Sequence, residues 1–148
     1  MHYEDLTPYQ YCLPFKFSNI INIGWLSNDF DFAKCDASSE LVEKLYKILT
    51  KEGSFESRVN QIRGVHPCNF CGAHKFHEPF IGSCEIWIPS LDVGAYFAAP
   101  SLVIHYISEH NYCPPKSFVD AVLQLNLEEK FNGQDLYDAL TKMYSSNE

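Results

Sequence analysis

The sequence RGVHPCNFCG, residues 63–72, places Cys68 and Cys71 two residues apart, and we expect the fold to form around it. A C-x-x-C pair on a tight turn points two sulfur atoms to one side of the backbone, where they can share one metal ion. Structural zinc takes four ligands in a tetrahedron and binds thiolate and imidazole readily. Pro67 stiffens the approach and lowers the entropy that is lost on binding. The pair therefore supplies half of a predicted zinc site.

His105 and His110 are the predicted second half of the site. Four residues separate them, which is within the spacing of histidine ligands in zinc modules. Both belong to SLVIHYISEHN, residues 101–111, which is apolar on most sides and predicts a buried central helix. A buried histidine needs partners for its ring nitrogens, and a metal ion is one such partner. His66 is the first substitute ligand, followed by His74, His77 and Cys84.

Other interpretations of the cysteine pair remain open. It could be a redox dithiol, although the βα context of a thioredoxin-like site is missing. Cys68 could be a nucleophile with His66 as its base, or the two thiols could be buried without a metal. If a zinc ion here were catalytic, Glu85 and Glu109 would be the nearest candidates for a general base.

Composition excludes some classes of function. The chain has 148 residues, 46% of them hydrophobic and 15% aromatic, which predicts one globular domain with a core. The net charge of −8 argues against a general nucleic-acid binder, which would present a basic face. The same charge is compatible with a basic protein partner and also with a merely solvated surface.

The sequence also predicts a location. The N-terminus, MHYED, is acidic and lacks the apolar core of a signal peptide, and no apolar run approaches the length of a membrane span. We therefore predict a cytosolic protein that does not contact membranes. In a reducing cytosol, Cys12, Cys35 and Cys113 are expected to be free thiols or core residues.

Hydrophobic patterning predicts an α+β fold in which a small antiparallel sheet and packed helices surround the zinc site. The predicted strands are residues 20–26, 81–88 and 93–98, and the last two form a hairpin. Helices are predicted from Ser39 towards Gly53, over 101–111 and 117–125, and from Gly133 onward. We predict a single domain, residues 1–148, in which 126–148 are a C-terminal helical addition.

Five motifs together resemble a family of small, uncharacterised bacterial proteins. They are YxDLxPY (3–9), NIGWL (22–26), RGxHxCxxC (63–71), GSxEI (82–86) and AAPxLxxHYxxxHxYxPPxxF (98–118). The resemblance covers most of residues 3–122, and it places the cysteine pair and both histidines in one pattern, which favours a shared site. Members of such families often lie beside polymorphic toxins as immunity proteins, so the resemblance implies this association.

Three functional hypotheses follow. The first is a non-enzymatic protein-binding protein with a structural zinc, most concretely an immunity protein that binds a basic toxin domain directly. The second is a zinc-dependent hydrolase, which needs an open coordination position and a base. The third is a redox or zinc sensor. For the first, the acidic residues that would steer a basic partner lie near aromatic side chains: Glu4, Asp5, Asp29, Asp31 and Asp36.

Overall fold

The structure is a computed structural model that describes residues 2–11, 13–64, 66–71 and 81–145. Predictions that concern Cys12, His74 and His77 lie outside these residues. The described elements are, in chain order, β1 (Pro8–Tyr9), β2 (Phe17–Asn22), α1 (Ser39–Leu49), β3 (Phe55–Glu56), β4 (Arg58–Val59), β5 (Glu85–Pro89), β6 (Tyr96–Pro100), α2 (Val103–His110), α3 (Lys116–Gln124), β7 (Phe131–Asn132) and α4 (Gly133–Ser145).

The predicted α+β class is confirmed, and the central sheet has five strands in the order β1-β2-β6-β5-β4. Strands β5 and β6 are the predicted antiparallel hairpin, with Trp87 opposite Ala98. Strand β2, however, runs parallel to β6, with Ile21 beside Phe97, so the sheet is mixed rather than wholly antiparallel. A parallel pair needs a long crossover, which the chain between β2 and β6 supplies through α1.

The predicted first strand ends earlier than expected, at Asn22 rather than Leu26. Gly24 adopts a left-handed conformation with φ +73°, which is incompatible with a strand. A Cβ atom at this position would lie 2.7 Å from Cγ2 of Val103. The backbone therefore leaves the sheet here and passes directly beneath α2.

Side chains along the hairpin point alternately to the two faces of the sheet, and both faces are buried. Ile86, Ile88 and Phe97 belong to one core cluster, which includes the apolar faces of α1, α2 and α3. Trp87 and Ala98 face the other way and pack with N-terminal aromatic residues and α4. Both faces are covered, which explains why these strands have apolar residues at successive positions.

Helix α1 follows its sequence pattern closely. Ser38 caps it by accepting a hydrogen bond from the Leu41 amide (3.2 Å), and the predicted apolar face is buried. The helix ends at Leu49, before the expected stop at Gly53, because Lys51 already has a left-handed backbone with φ +56°.

Cys35 and Cys113 form a disulfide, so the prediction that they are free thiols is wrong. Their Cα atoms are 5.2 Å apart, and the segments on either side lie in antiparallel contact. The Cys35 amide donates to the Asn111 carbonyl and the Cys113 amide to the Ala33 carbonyl, both at 2.9 Å. Disulfides are rare in a reducing cytosol, so this bond does not support the predicted location. Across the described residues, no helix combines the length and apolar character that a membrane crossing requires.

Candidate metal centre

The structure brings Cys68, Cys71, His105 and His110 together, with one ligand atom from each and all four atoms within 4.8 Å of one another. Cys68 Sγ lies 3.3 Å from His110 Nε2, and Cys71 Sγ lies 3.4 Å from His105 Nε2. In a zinc tetrahedron, with Zn–S of about 2.3 Å and Zn–N of about 2.0–2.1 Å, sulfur and nitrogen are about 3.5 Å apart. The group could therefore hold a metal ion with little rearrangement.

The cysteine turn is held in place by contacts on both sides. The His66 amide donates to the Gly82 carbonyl (2.8 Å), which ties the segment to the chain just before β5. Between the two cysteines, the Phe70 ring packs edge-on against Phe32 and Tyr106, with centroid separations of 5.3 and 5.8 Å. These contacts fix the turn against α2, where the histidines lie.

The end of α2 brings the two histidines to the same place. His105 and His110 are about 140° apart around an ideal helix, which by itself would separate their rings. His110 is the last helical residue, and Asn111 follows in a left-handed conformation with φ +57°. The amides of Asn111 and Tyr112 both donate to the Tyr106 carbonyl, which closes the helix end tightly. The two imidazole centroids are then 5.1 Å apart.

The surroundings of the group are partly apolar. Cys68 is fully buried, whereas Cys71 is exposed and the two histidines are half-buried. Burial raises the pKa of the Cys68 thiol, and burial together with the nearby cysteines raises the pKa of Tyr106 to about 12. The Cys68 thiol therefore carries its proton until a cation displaces it, so metal binding should release protons.

The substitute ligands and the candidate bases do not join this group. His66 is exposed and borders a separate cavity together with Cys84 and Glu85. Burial raises the pKa of the Cys84 thiol to about 11, so this cysteine is a poor nucleophile. Glu109 is exposed, and among the described residues no Asp or Glu belongs to the cluster.

The acidic residues predicted to steer a partner fall into two kinds. Four of them are exposed: Glu4, Asp29, Asp31 and Asp36. Asp5 is different, because its carboxylate accepts hydrogen bonds from the Gly24 amide (2.9 Å) and the Tyr112 hydroxyl (2.6 Å). Asp5 therefore connects the N-terminal segment to Tyr112, which lies just beyond α2.

Sequence reasoning missed the network around Glu85, which it considered only as a possible base. This residue is 4% exposed and accepts hydrogen bonds from Tyr9, Trp87 and Asn60. The available signal was its position inside the apolar segment IGSCEIWI, residues 81–88, because glutamate is almost never fully buried without partners.

Comparison with known families adds one finding. The model of a family described as a domain of unknown function, DUF7919, matches residues 1–123. The chain belongs to this family. The DUF7919 match includes both cysteines and both histidines of the candidate metal centre and ends before α4 begins. No curated protein and no solved structure matches the chain.

Proposed function

We propose that this DUF7919 protein is a non-enzymatic binding protein whose fold is held by one zinc ion. The observation that carries the proposal is the group of four converging ligand atoms from Cys68, Cys71, His105 and His110. A structural zinc site is closed by four protein ligands, whereas a catalytic site keeps one position for water or substrate. The count of four therefore favours a structural role over the zinc-hydrolase alternative.

Zinc would connect segments that are distant in sequence. Cys68 and His110 are 42 residues apart, and Cys71 and His105 are 34 residues apart. The ion would add a direct link between the cysteine turn and α2 to the contacts that Phe70 already makes there. Zinc rather than a harder cation is proposed because two thiolates and two imidazoles suit zinc, whereas carboxylates and carbonyls suit magnesium or calcium.

We further propose that the bound partner is a basic toxin domain, so that the protein acts as a bacterial immunity protein. Phe30 is 55% exposed and stacks on His2 with a centroid separation of 4.2 Å. Its neighbours in sequence, Asp29 and Asp31, are exposed as well. An exposed ring with an acidic rim is suited to anchor and steer a basic partner, and the net charge of −8 adds to the attraction.

The proposed location is the cytosol, which places a condition on the disulfide. Because disulfides are rare in that compartment, the protein must work with Cys35 and Cys113 reduced. The hydrogen bonds between residues 33–35 and 111–113 would still join these two segments.

Metal content tests the zinc proposal. Protein purified without added metal should contain about one zinc ion per chain by elemental analysis. Cys71→Ser should lose most of this zinc, because it removes one of the four ligand atoms. Cys71 is exposed, so its replacement should not disturb the core. Cys84→Ser is the matched control, since Cys84 likewise forms no disulfide but lies outside the cluster. Absence of zinc from the wild-type protein, or its retention by Cys71→Ser, would overturn the proposal.

The partner proposal has its own test. The product of the adjacent gene should bind the purified chain with a Kd of about 1 μM or tighter, and more weakly as salt rises. Phe30→Ala and the double variant Asp29→Asn/Asp31→Asn should weaken binding, whereas Glu43→Gln, at an exposed acidic position on α1, should not. No binding, or equal losses in the control, would reject the immunity role and leave the zinc proposal intact.

A further inference from the structure

A cavity of about 300 Å³ lies beside the start of β5, and nothing described so far uses it. Its apolar lining includes Trp25, Ile62 and Leu102, and its polar lining includes Glu85 and Asn60. This volume is at the lower end of the range for small-molecule sites. The cavity is therefore large enough for a small organic ligand.

Glu85 is a buried carboxyl group with only neutral partners. Its Oε1 accepts hydrogen bonds from the Tyr9 hydroxyl (2.8 Å) and the Trp87 indole (3.0 Å), and its Oε2 accepts one from the Asn60 amide (2.8 Å). Within the described residues, no lysine, arginine or histidine forms an ion pair with it. Burying an ionised carboxylate without a cation is costly, and burial raises the pKa of Glu85.

The geometry leaves room for one more donor. Each carboxylate oxygen can accept about two hydrogen bonds. Within the described part of the chain, Oε1 already has two donors, whereas Oε2 has only the side-chain amide of Asn60. An incoming N–H group could therefore complete Oε2 without displacing any existing partner.

Aromatic rings add a second attraction for a cation. Tyr11 and Trp25 both line the cavity and stack on each other with centroids 5.3 Å apart, and Tyr137 of α4 lines it too. Aromatic faces attract ammonium groups through their quadrupole. The overall charge of −8 also raises the local concentration of cations.

Asn60 is held in an unusual backbone conformation beside this carboxylate. Its φ is +53°, and its backbone amide donates a hydrogen bond to Oε1 of Gln134 in α4, at 2.6 Å. This conformation is uncommon for residues other than glycine, although asparagine adopts it more readily than most. The conformation aims the Asn60 side chain at Glu85 from the wall of the cavity.

We propose that this cavity binds a small organic amine in its protonated form. The ammonium group donates a hydrogen bond to Glu85 Oε2, and the apolar body of the amine packs against Trp25 and Leu102. The ligand supplies the positive charge that the buried carboxylate lacks.

Benzylamine and its neutral analogue benzyl alcohol test the proposal, because they differ mainly in charge at about pH 7.5. The chain has two tryptophans, of which Trp25 lines the cavity and Trp87 donates to Glu85, so intrinsic fluorescence should report binding. We expect benzylamine to bind with a Kd of about 1 mM or tighter, confirmed by calorimetry, and benzyl alcohol to bind at least about tenfold more weakly.

Two variants identify the site. Glu85→Gln keeps the size of the side chain and should remove the preference for the amine. Ile62→Lys places a positive charge on a cavity-lining residue that is 43% exposed, and should weaken benzylamine binding while zinc content stays unchanged. Val93→Lys makes the same charge change at a fully exposed position outside the lining residues, and should bind as the wild type does.

Several results would overturn the proposal. They are no benzylamine binding to the wild type, equal binding of benzyl alcohol, or equal benzylamine affinity in folded Glu85→Gln. If Glu85→Gln does not fold, the comparison of Ile62→Lys with Val93→Lys decides. Equal benzylamine affinity in these two variants would reject the site.

Discussion

Asn111 ends the helix that carries both candidate histidine ligands. A continuing helix would carry the chain onward at His110, but a left-handed residue ends it there. Asparagine tolerates this conformation better than most residues, because its short side chain can form local hydrogen bonds. The end of α2 at the candidate metal centre is therefore set by a residue that provides none of the four candidate ligand atoms.

Glu85 sets a pH dependence that can be isolated. Its pKa is raised from an ordinary 4.5 because burial disfavours the charged form. A carboxyl group with a raised folded-state pKa contributes its full stability below the unfolded pKa and loses it as pH rises through the folded pKa. The free energy of unfolding should therefore fall with rising pH above 4.5, as far as this residue is concerned.

Glu85→Gln should flatten that fall. Urea denaturation of the wild type and the variant at several pH values between about 4 and 8 measures the difference in slope. The effects of other titrating groups cancel in the comparison. Glu56 is one such group, because the hydrogen bonds that it accepts from Arg58 lower its pKa. Parallel stability curves for the two proteins would show that Glu85 titrates normally.

At the scale of elements, local patterns were predictable and distant pairings were not. The buried face of α1 and the β5–β6 hairpin follow from side-chain periodicity, which is a property of neighbouring residues. The parallel pairing of β2 with β6 joins segments that are far apart in sequence, and two-residue strands such as β3 and β7 have no periodicity to detect.

The same distinction applies to the candidate sites. The spacing within C-x-x-C and between His105 and His110 is local, so the sequence could nominate all four residues that the structure brings together. The pairing of Cys35 with Cys113 spans 78 residues and depends on how the segment after β2 lies against the end of α2. The Glu85 cavity likewise combines residues from many elements, including α4.

The disulfide gives a prediction at this scale. A cross-link that closes a loop of 78 residues should stabilise the fold by up to about 4 kcal/mol, mainly by restricting the unfolded chain. The double variant Cys35→Ala/Cys113→Ala should therefore unfold at a lower denaturant concentration than the oxidised wild type. Zinc content should be unchanged, since the two backbone hydrogen bonds that join the segments remain. Unchanged stability would mean that the cross-link is absent from the folded protein in solution.

At the scale of the whole molecule, metal removal is the most informative perturbation. Because the ligands lie on two segments that meet only in the folded state, binding energy becomes folding energy. Stripping zinc with a chelator should lower the free energy of unfolding by several kcal/mol and lower the Tm, and restoring zinc should reverse both. Cys71→Ser provides the control, because a chelator should barely change its Tm. If the chelator left the Tm of the wild type unchanged, this result would contradict a structural metal.

Residues 102–110, which comprise Leu102 and α2, contribute to both candidate sites. Leu102, which immediately precedes α2, lines the cavity, and His105 and His110 further along belong to the candidate metal centre. Where a ligand at one site changes the affinity of the other, the effect is reciprocal: the factor by which an amine changes zinc affinity equals the factor by which zinc changes amine affinity. If the chain binds zinc and an amine as proposed, an amine in the cavity is expected to change the zinc affinity, and the zinc concentration in the cell to change how tightly the amine is held.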